Sequence, residues 1–76
     1  MLKGSQLRMA RAASRLSVRE LAQIAEVAPN TVTRIEGGLP ANTATLRAIQ
    51  RALEGAGIEF IDENGCGPGV RLRKAL

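Results

Sequence analysis

The feature that most constrains this chain is a pair of short helical patterns separated by a break of three residues, Val27-Ala28-Pro29. The first pattern opens with Ser17-Val18-Arg19-Glu20, which has the spacing of a capping box, in which each end residue bonds the backbone amide of the other. The second opens at Pro29, which suits the first turn of a helix because its missing N–H would be unpaired there. The pattern predicts two consecutive short helices joined by a tight connection.

Two further helices flank this pair. Ser5 is the expected cap of the first helix. Gly37-Gly38 ends the third, since a left-handed cap costs glycine little, and Asn42 or Thr43 caps a fourth that extends to about Gly55. We place the first three helices at about 5–14, 17–26 and Pro29–Glu36.

The final segment changes from helical to alternating periodicity. Ile58-Glu59-Phe60-Ile61 and Val70-Arg71-Leu72-Arg73 each approximate the alternation of a half-buried strand, and the turn-forming residues Asn64-Gly65 and Gly67-Pro68-Gly69 lie between them. The two strands pair either as a hairpin or with a second chain. We therefore expect a mainly α fold with a two-stranded β appendage. The expected domains are 1–56, which is helical, and 57–76, the β tail.

Composition excludes several classes of protein. Phe60 is the only aromatic residue, so the core has to be built from Leu, Ile, Val and Ala, which favours closely packed short helices. No apolar run approaches the roughly 18 residues that cross a bilayer, and the first residues do not resemble a secretory signal. Cys66 is the only cysteine and histidine is absent, so no internal disulfide and no zinc cluster is expected. We expect a cytoplasmic protein with no metal and no cofactor.

The positive charge is concentrated in the helical part. The formal net charge is +4, and residues 1–56 carry eight basic and four acidic side chains, whereas the tail carries three of each. A positive surface of this kind suits a partner that presents phosphates. Many basic faces are merely solvated, so charge alone does not decide whether the partner is a nucleic acid.

The residues from Ser17 to Gly38 read SVRELAQIAEVAPNTVTRIEGG. This run resembles the Cro/phage-repressor helix-turn-helix family, also called the XRE family, whose pattern is S-x-x-E-L-A-x-x-A-G-V-S-x-x-T-[IV]-S-x-[IL]-E-x-G. With the flanking helices the likeness covers about residues 5–54. It implies a four- to five-helix, lambda-repressor-like DNA-binding domain. The tail looks like the β appendage of some short stand-alone bacterial members.

Three positions depart from the family's pattern. Arg15 and Glu26 stand where glycine is usual, and a non-glycine residue with positive φ costs about 1 kcal/mol. Ala28 stands where a serine usually caps the third helix, a loss of roughly another 1 kcal/mol. If Asn30 caps the helix instead, the helix starts later and the Asn30 side chain is removed from base reading.

The resemblance assigns base reading to the third helix, which would enter the major groove of duplex DNA. Val32 and Ile35 are three apart and are expected to face the core. Arg can make two hydrogen bonds to guanine and Asn two to adenine, so Arg34 and then Asn30 are the first candidates. The alternative for Arg34 is a solvated or phosphate-binding side chain. The base-reading positions are Ala28, Pro29, Asn30, Thr33 and Arg34.

Phosphate contacts are expected at the starts of the second and fourth helices, where free amides and the positive end of the helix dipole attract anions. Such contacts position a protein without encoding sequence. For Ser17 and Asn42, helix capping is the competing role. The resemblance also implies an ion pair between Arg11 and Glu36. The expected phosphate-binding residues are Ser17, Val18, Arg19, Asn42, Thr43 and Arg47.

The tail is the expected dimerisation element. A single short helix reads too few base pairs for strong specificity, so family members usually bind as two-fold dimers. One apolar face of the tail can supply the interface by pairing strands with a second copy. The alternative is that this face packs on the chain's own helices. The face consists of Ile58, Phe60, Val70 and Leu72.

The sequence therefore predicts a sequence-specific regulator of transcription, and repression is the default mode. Its partners are duplex DNA and a second copy of the chain, with no membrane and no small-molecule ligand. The alternative is an antitoxin or adaptor that binds other proteins through the same scaffold. Catalysis is not expected, since histidine is absent and no paired carboxylates or phosphate-binding glycine loop occur.

Overall fold

The computed structural model describes residues 2–62 and 65–73. Four helices are followed by two strands: α1 (Gly4–Ser14), α2 (Val18–Ala25), α3 (Pro29–Glu36), α4 (Thr43–Gly55), β1 (Ile58–Ile61) and β2 (Gly69–Leu72). The predicted fold class, mainly helical with a two-stranded β appendage, is confirmed. Asn64 of the predicted turn and residues 74–76 of the predicted tail lie outside the described residues. No described helix has the length and apolar character needed to span a bilayer.

Local signals set the boundaries of α2 and α3. The Ser17 hydroxyl accepts the Glu20 N–H at 3.0 Å and the Glu20 carboxylate accepts the Ser17 N–H at 2.9 Å, so the predicted capping box forms. α3 begins at Pro29, and Ala28 is an N-cap that makes no side-chain hydrogen bond. The alternative in which Asn30 caps a later helix is therefore wrong.

The two positions that lack the family's glycines keep the turn geometry. Arg15 and Glu26 both adopt the left-handed conformation, with φ of 59° and 60°. Arg15 caps α1, where its N–H donates to the Ala12 carbonyl, and Glu26 caps α2, where its N–H donates to the Gln23 carbonyl. Each non-glycine residue in this region costs roughly 1–2 kcal/mol. Despite this cost, the two connections keep the left-handed backbone conformation at Arg15 and Glu26.

The start of α1 differs from the prediction. The helix begins at Gly4 with Lys3 as its N-cap, so Ser5 lies inside the first turn and does not cap it. Instead the Gln6 side-chain oxygen accepts the Lys3 N–H at 3.0 Å. A glutamine three residues after the cap thus satisfies a backbone donor at the helix start, one half of a capping box.

An apolar cluster drawn from all four helices and from β1 forms the core. In α4 the expected stripe is present, with Ile49 and Leu53 buried and Leu46 half-buried. Because a β1 side chain is as deeply buried as those of the helices, the strands belong to the same core. The largest fully buried side chains are Leu7, Leu21, Val32, Ile49, Leu53 and Ile58.

β1 and β2 form an antiparallel hairpin within the chain, here called the tail hairpin. Phe60 lies opposite Val70, and β2 begins at Gly69, one residue before its predicted start. The tail hairpin packs against α1 and α4. At its open end the Arg73 guanidinium donates to the Glu54 carbonyl at 2.8 Å, which ties it to the last turn of α4.

Candidate nucleic-acid interface

α3 has one buried and one exposed face. The side chains of Val32 and Ile35 retain only 0% and 4% of their accessible surface. They hold the helix against the core, so the residues between them have to point outward. All the positions predicted to read bases are exposed: Ala28, Pro29, Asn30, Thr33 and Arg34.

The exposed α3 side chains retain donors and apolar groups for a partner. Thr33 turns its hydroxyl back to the Pro29 carbonyl at 3.4 Å, which leaves its methyl group available to an apolar contact. Asn30 lies within the first turn and does not cap the helix. Arg34 has no ion-pair partner among residues 2–62 and 65–73. Arg and Asn are the side chains that best distinguish base edges in the major groove.

A shallow cleft joins α3 to the start of α4. It has a volume of about 200 Å³, and both Arg34 and Asn42 line it. The fold therefore brings a predicted base-reading residue next to a predicted phosphate-binding one. Thr31 and Thr45 line the same cleft, although neither was predicted from the sequence as a site residue. Only their place in the lining of this cleft identifies them.

At the start of α2, side chains and backbone have separate roles. The Ser17 hydroxyl is engaged in the capping box, and hydrogen bonds from the Ser17 N–H and hydroxyl lower the pKa of Glu20. The Glu20 carboxylate therefore stays ionised near the helix start, where negative charge is favourable. Val18 is half-buried, and Arg19 is exposed beside it. Of the predicted phosphate contacts in this region, Arg19 presents the positive charge.

At the start of α4, as at the start of α2, a side chain caps the helix. The Asn42 side-chain oxygen accepts the Thr45 N–H at 2.8 Å, so Asn42 rather than Thr43 is the cap. Thr43 is exposed in the first turn. Arg47 lies one turn further along, where it lines a separate hollow with Arg51. The first amides of α4 are left without intrahelical partners, as at any helix start.

An ion pair joins α1 to the end of α3. Arg11 Nε lies 2.6 Å from one Glu36 carboxylate oxygen and Arg11 Nη2 lies 3.1 Å from the other. The pair is partly buried, with 27% of the Arg11 side chain and 11% of the Glu36 side chain exposed. The hydrogen bond to Glu36 raises the pKa of Arg11 above its usual value. Arg11 Nη1 also donates to the Leu16 carbonyl at 3.3 Å, which ties the loop before α2 to the pair.

Two contacts of the first turn of α1 were not anticipated from sequence. Gly4 approaches α3 so closely that a Cβ there would overlap the Ile35 carbonyl oxygen. Gln6 is a buried polar residue, 3% exposed, and its amide donates to the Ile61 and Gly69 carbonyls of the tail hairpin. A glutamine three residues after a cap is a known capping signal. Nothing local in the sequence indicates its bonds to distant strands.

The four tail residues expected to form a dimer interface differ in how deeply they are buried. Ile58 is fully buried among the chain's own helices. Phe60 and Val70 are half-buried and pack against the same core. Leu72 is 57% exposed. The surface of this face that remains open to a second chain is therefore concentrated at Leu72.

The fold and the exposed face of α3 define a helix-turn-helix domain, in which α2 and α3 form the two-helix unit and α3 is the outward-facing second helix. A family model described as a helix-turn-helix domain matches residues 4–59, and the chain belongs to that family. No curated protein matches the chain. Helix-turn-helix domains place their second helix in the major groove of DNA, so DNA is the partner that this membership indicates.

Proposed function

We propose that the protein is a sequence-specific regulator of transcription of the Cro/phage-repressor (XRE) type, which binds duplex DNA as a homodimer and represses. The observation that carries the proposal is the two-sided α3. Its inward side chains are fully packed, while Asn30, Thr33 and Arg34 are exposed on the opposite side. These are side chains that recognise adenine, the thymine methyl group and guanine.

The cleft between α3 and α4 supports the same proposal. A recognition helix needs nearby phosphate contacts to fix its depth and direction in the groove. Asn42 and Thr45, at the start of α4, share the cleft with Arg34. Base reading by Arg34 and backbone contact by the first turn of α4 can therefore occur along one continuous surface. Arg19, which is exposed at the start of α2, is a further candidate for a phosphate contact. The proposal includes no catalytic step.

Dimerisation and repression follow from the size of the interface. One eight-residue helix covers only a few base pairs, so useful specificity requires two half-sites related by a two-fold axis. The exposed Leu72 and the edges of the tail hairpin are the surface that we assign to the second copy. Repression needs only that the bound dimer covers its site.

Selection of bound duplexes from a random pool tests the proposal directly. We expect a two-fold symmetric consensus with half-sites about one helical turn apart. Light scattering should give a mass twice that of the 8.1 kDa chain. Binding that shows no preference among duplexes would contradict sequence-specific regulation and favour a protein-binding adaptor. A non-symmetric consensus bound by one chain would contradict the homodimer alone.

The variant Arg34→Ala locates base reading on α3. We expect it to weaken binding to the consensus by roughly 1–3 kcal/mol per half-site and to relax the preference at one position. Arg8→Ala is the matched control, because Arg8 is also exposed and loses the same charge, but lies on α1. Arg8→Ala should leave the consensus unchanged. If both variants select the wild-type consensus, Arg34 contacts only phosphate or solvent.

A further inference from the structure

We propose that Gln6 is a positioning residue for DNA recognition: through it, the tail hairpin sets the position of α1 against α3. This inference rests on the proposed DNA-binding function, but it concerns a side chain outside the DNA-facing surface. It gives the tail hairpin a role in sequence reading that does not depend on touching DNA.

Gln6 forms the polar link between α1 and the tail hairpin. Its amide nitrogen donates to the Ile61 carbonyl at 3.2 Å and to the Gly69 carbonyl at 3.1 Å, so it bonds both strands of the hairpin at once. Its amide oxygen accepts the Lys3 N–H. Only 3% of the surface of Gln6 is exposed, so its side chain is almost completely enclosed by the protein. Movement of either strand therefore displaces the first turn of α1.

The same turn of α1 closely approaches α3. Gly4 precedes Gln6 by two residues, and the space beside its Cα is so small that a Cβ would overlap the Ile35 carbonyl oxygen. Further along α1, the ion pair of Arg11 with Glu36 holds the end of α3. α1 thus contacts the C-terminal end of α3 at two points. A displacement of its first turn towards α3 would bring its backbone against the Ile35 carbonyl.

The end of α3 that α1 holds is the end that carries Arg34. Arg34 immediately precedes Ile35, and a two-bond contact from arginine to guanine requires both donors within hydrogen-bonding distance. A shift of the backbone at Ile35 changes the position from which the Arg34 guanidinium approaches a base, and it weakens a contact that needs both hydrogen bonds. Contacts to phosphate depend mainly on charge and tolerate such a shift. Loss of the Gln6 link should therefore reduce specific binding more than non-specific binding.

The test is Gln6→Met, which keeps the approximate length of the side chain and the net charge but removes both N–H donors to the strands and the oxygen that accepts the Lys3 N–H. At a temperature where the variant is fully folded, we expect its affinity for the selected consensus duplex to fall about tenfold per half-site, the size of one lost two-bond base contact in each copy. Its affinity for an unrelated duplex should stay within about twofold of wild type, because that binding comes from phosphate contacts.

Ile49→Val is the matched control. It destabilises the same core from α4, far in sequence from the first turn of α1, and it also leaves the net charge unchanged. It should lower the melting temperature without changing the ratio of specific to non-specific affinity. If Ile49→Val lowers that ratio as much as Gln6→Met does, Gln6 acts only through stability and the proposal fails.

NMR amide chemical shifts, measured in the absence of DNA, report independently on the contact between the first turn of α1 and the end of α3. Gln6→Met should perturb the amides from Ile35 to Gly38 as well as those of the tail hairpin, whereas Gly4→Ala, which forces α1 away from Ile35, should perturb the α3 end most strongly. Unchanged Ile35–Gly38 shifts in Gln6→Met overturn the positioning role. If wild type shows no sequence preference, the proposed function fails, and these shifts still decide whether Gln6 positions α3.

Discussion

The helix-turn-helix unit, residues 17–36, and the tail hairpin are built by opposite means. In the unit, hydrogen bonds that set the boundaries join residues three or four apart, such as Ser17 with Glu20. In the tail hairpin, the anchoring bonds join residues far apart, such as Gln6 with Gly69. Yet both regions bury side chains completely in one core, Val32 from the unit and Ile58 from the hairpin.

This contrast shows that the tail hairpin is not an appendage in the energetic sense. A hairpin of two four-residue strands is at best marginally stable alone. It persists because the helices supply its apolar and polar partners, and it covers part of their core in return. Substitutions can test both this mutual dependence and the local character of the helix-turn-helix unit through their effects on the free energy of unfolding.

Ile58→Ala is expected to have the largest effect. Removing a fully buried isoleucine side chain costs about 3–4 kcal/mol, a large share of the stability of a small domain. Urea unfolding followed by helical circular dichroism should shift as one transition, because the hairpin and helices share a core. Ile24→Ala, the same substitution at an exposed site on α2, should cost under about 1 kcal/mol. Loss of the hairpin with the helices intact would contradict the shared core.

Arg11→Met tests the long-range tie between α1 and α3. The change leaves the Glu36 carboxylate mostly buried without its charged partner, and we expect a loss of about 2–3 kcal/mol. Arg8→Met is the control on the same helix, since Arg8 is exposed, and it should be close to neutral. Urea denaturation of both variants measures the difference. Equal midpoints for the two would mean that the ion pair contributes nothing net.

Ala28→Ser tests the local hydrogen bonding at the start of α3. A serine at the uncapped start of α3 can accept a backbone N–H, and we expect a gain of about 1 kcal/mol. Ser17→Ala removes the equivalent bond at α2 and should cost a similar amount. Thermal unfolding at one pH compares the two. A neutral Ala28→Ser would show that the rigid Pro29 already supplies what a cap would add.

Glu26→Gly is expected to have the smallest effect. Its backbone is left-handed, with φ of 60°, so glycine relieves the steric strain but adds entropy to the unfolded chain. Relief of roughly 1–2 kcal/mol of strain exceeds the entropic cost of roughly 0.4–1 kcal/mol, so we expect a net gain of about 0.5–1 kcal/mol in the free energy of unfolding. Glu26→Ala removes the carboxylate while keeping the Cβ, and should give no such gain. Equal stabilisation by both variants would assign the effect to charge.

The outcome at particular residues shows which features could be inferred from sequence. The capping box, the start of α3 at Pro29, the ends of β1 and the outward position of Arg34 depend on neighbours within four residues, and each agrees with its prediction. The predicted cap of α1 was wrong: Ser5 is a favoured cap by residue type, but the helix begins at Gly4 with Lys3 as its N-cap, and the Gln6 side chain accepts the Lys3 N–H. The Gln6 amide also donates to two strand carbonyls, and these partners are more than 50 residues away in sequence.

The features that the sequence determined and those that the tertiary structure decided differ in the range of the interactions behind them. The sequence by itself determined the helices of the helix-turn-helix unit and which face of α3 is polar, because caps, proline geometry and apolar spacing act within one or two turns. Only the tertiary structure decided that Ile58 is core while Leu72 is surface, that Arg34 shares a cleft with Asn42, and that Gln6 joins α1 to the tail hairpin. These depend on which distant segments pack together, and a one-dimensional pattern does not specify that.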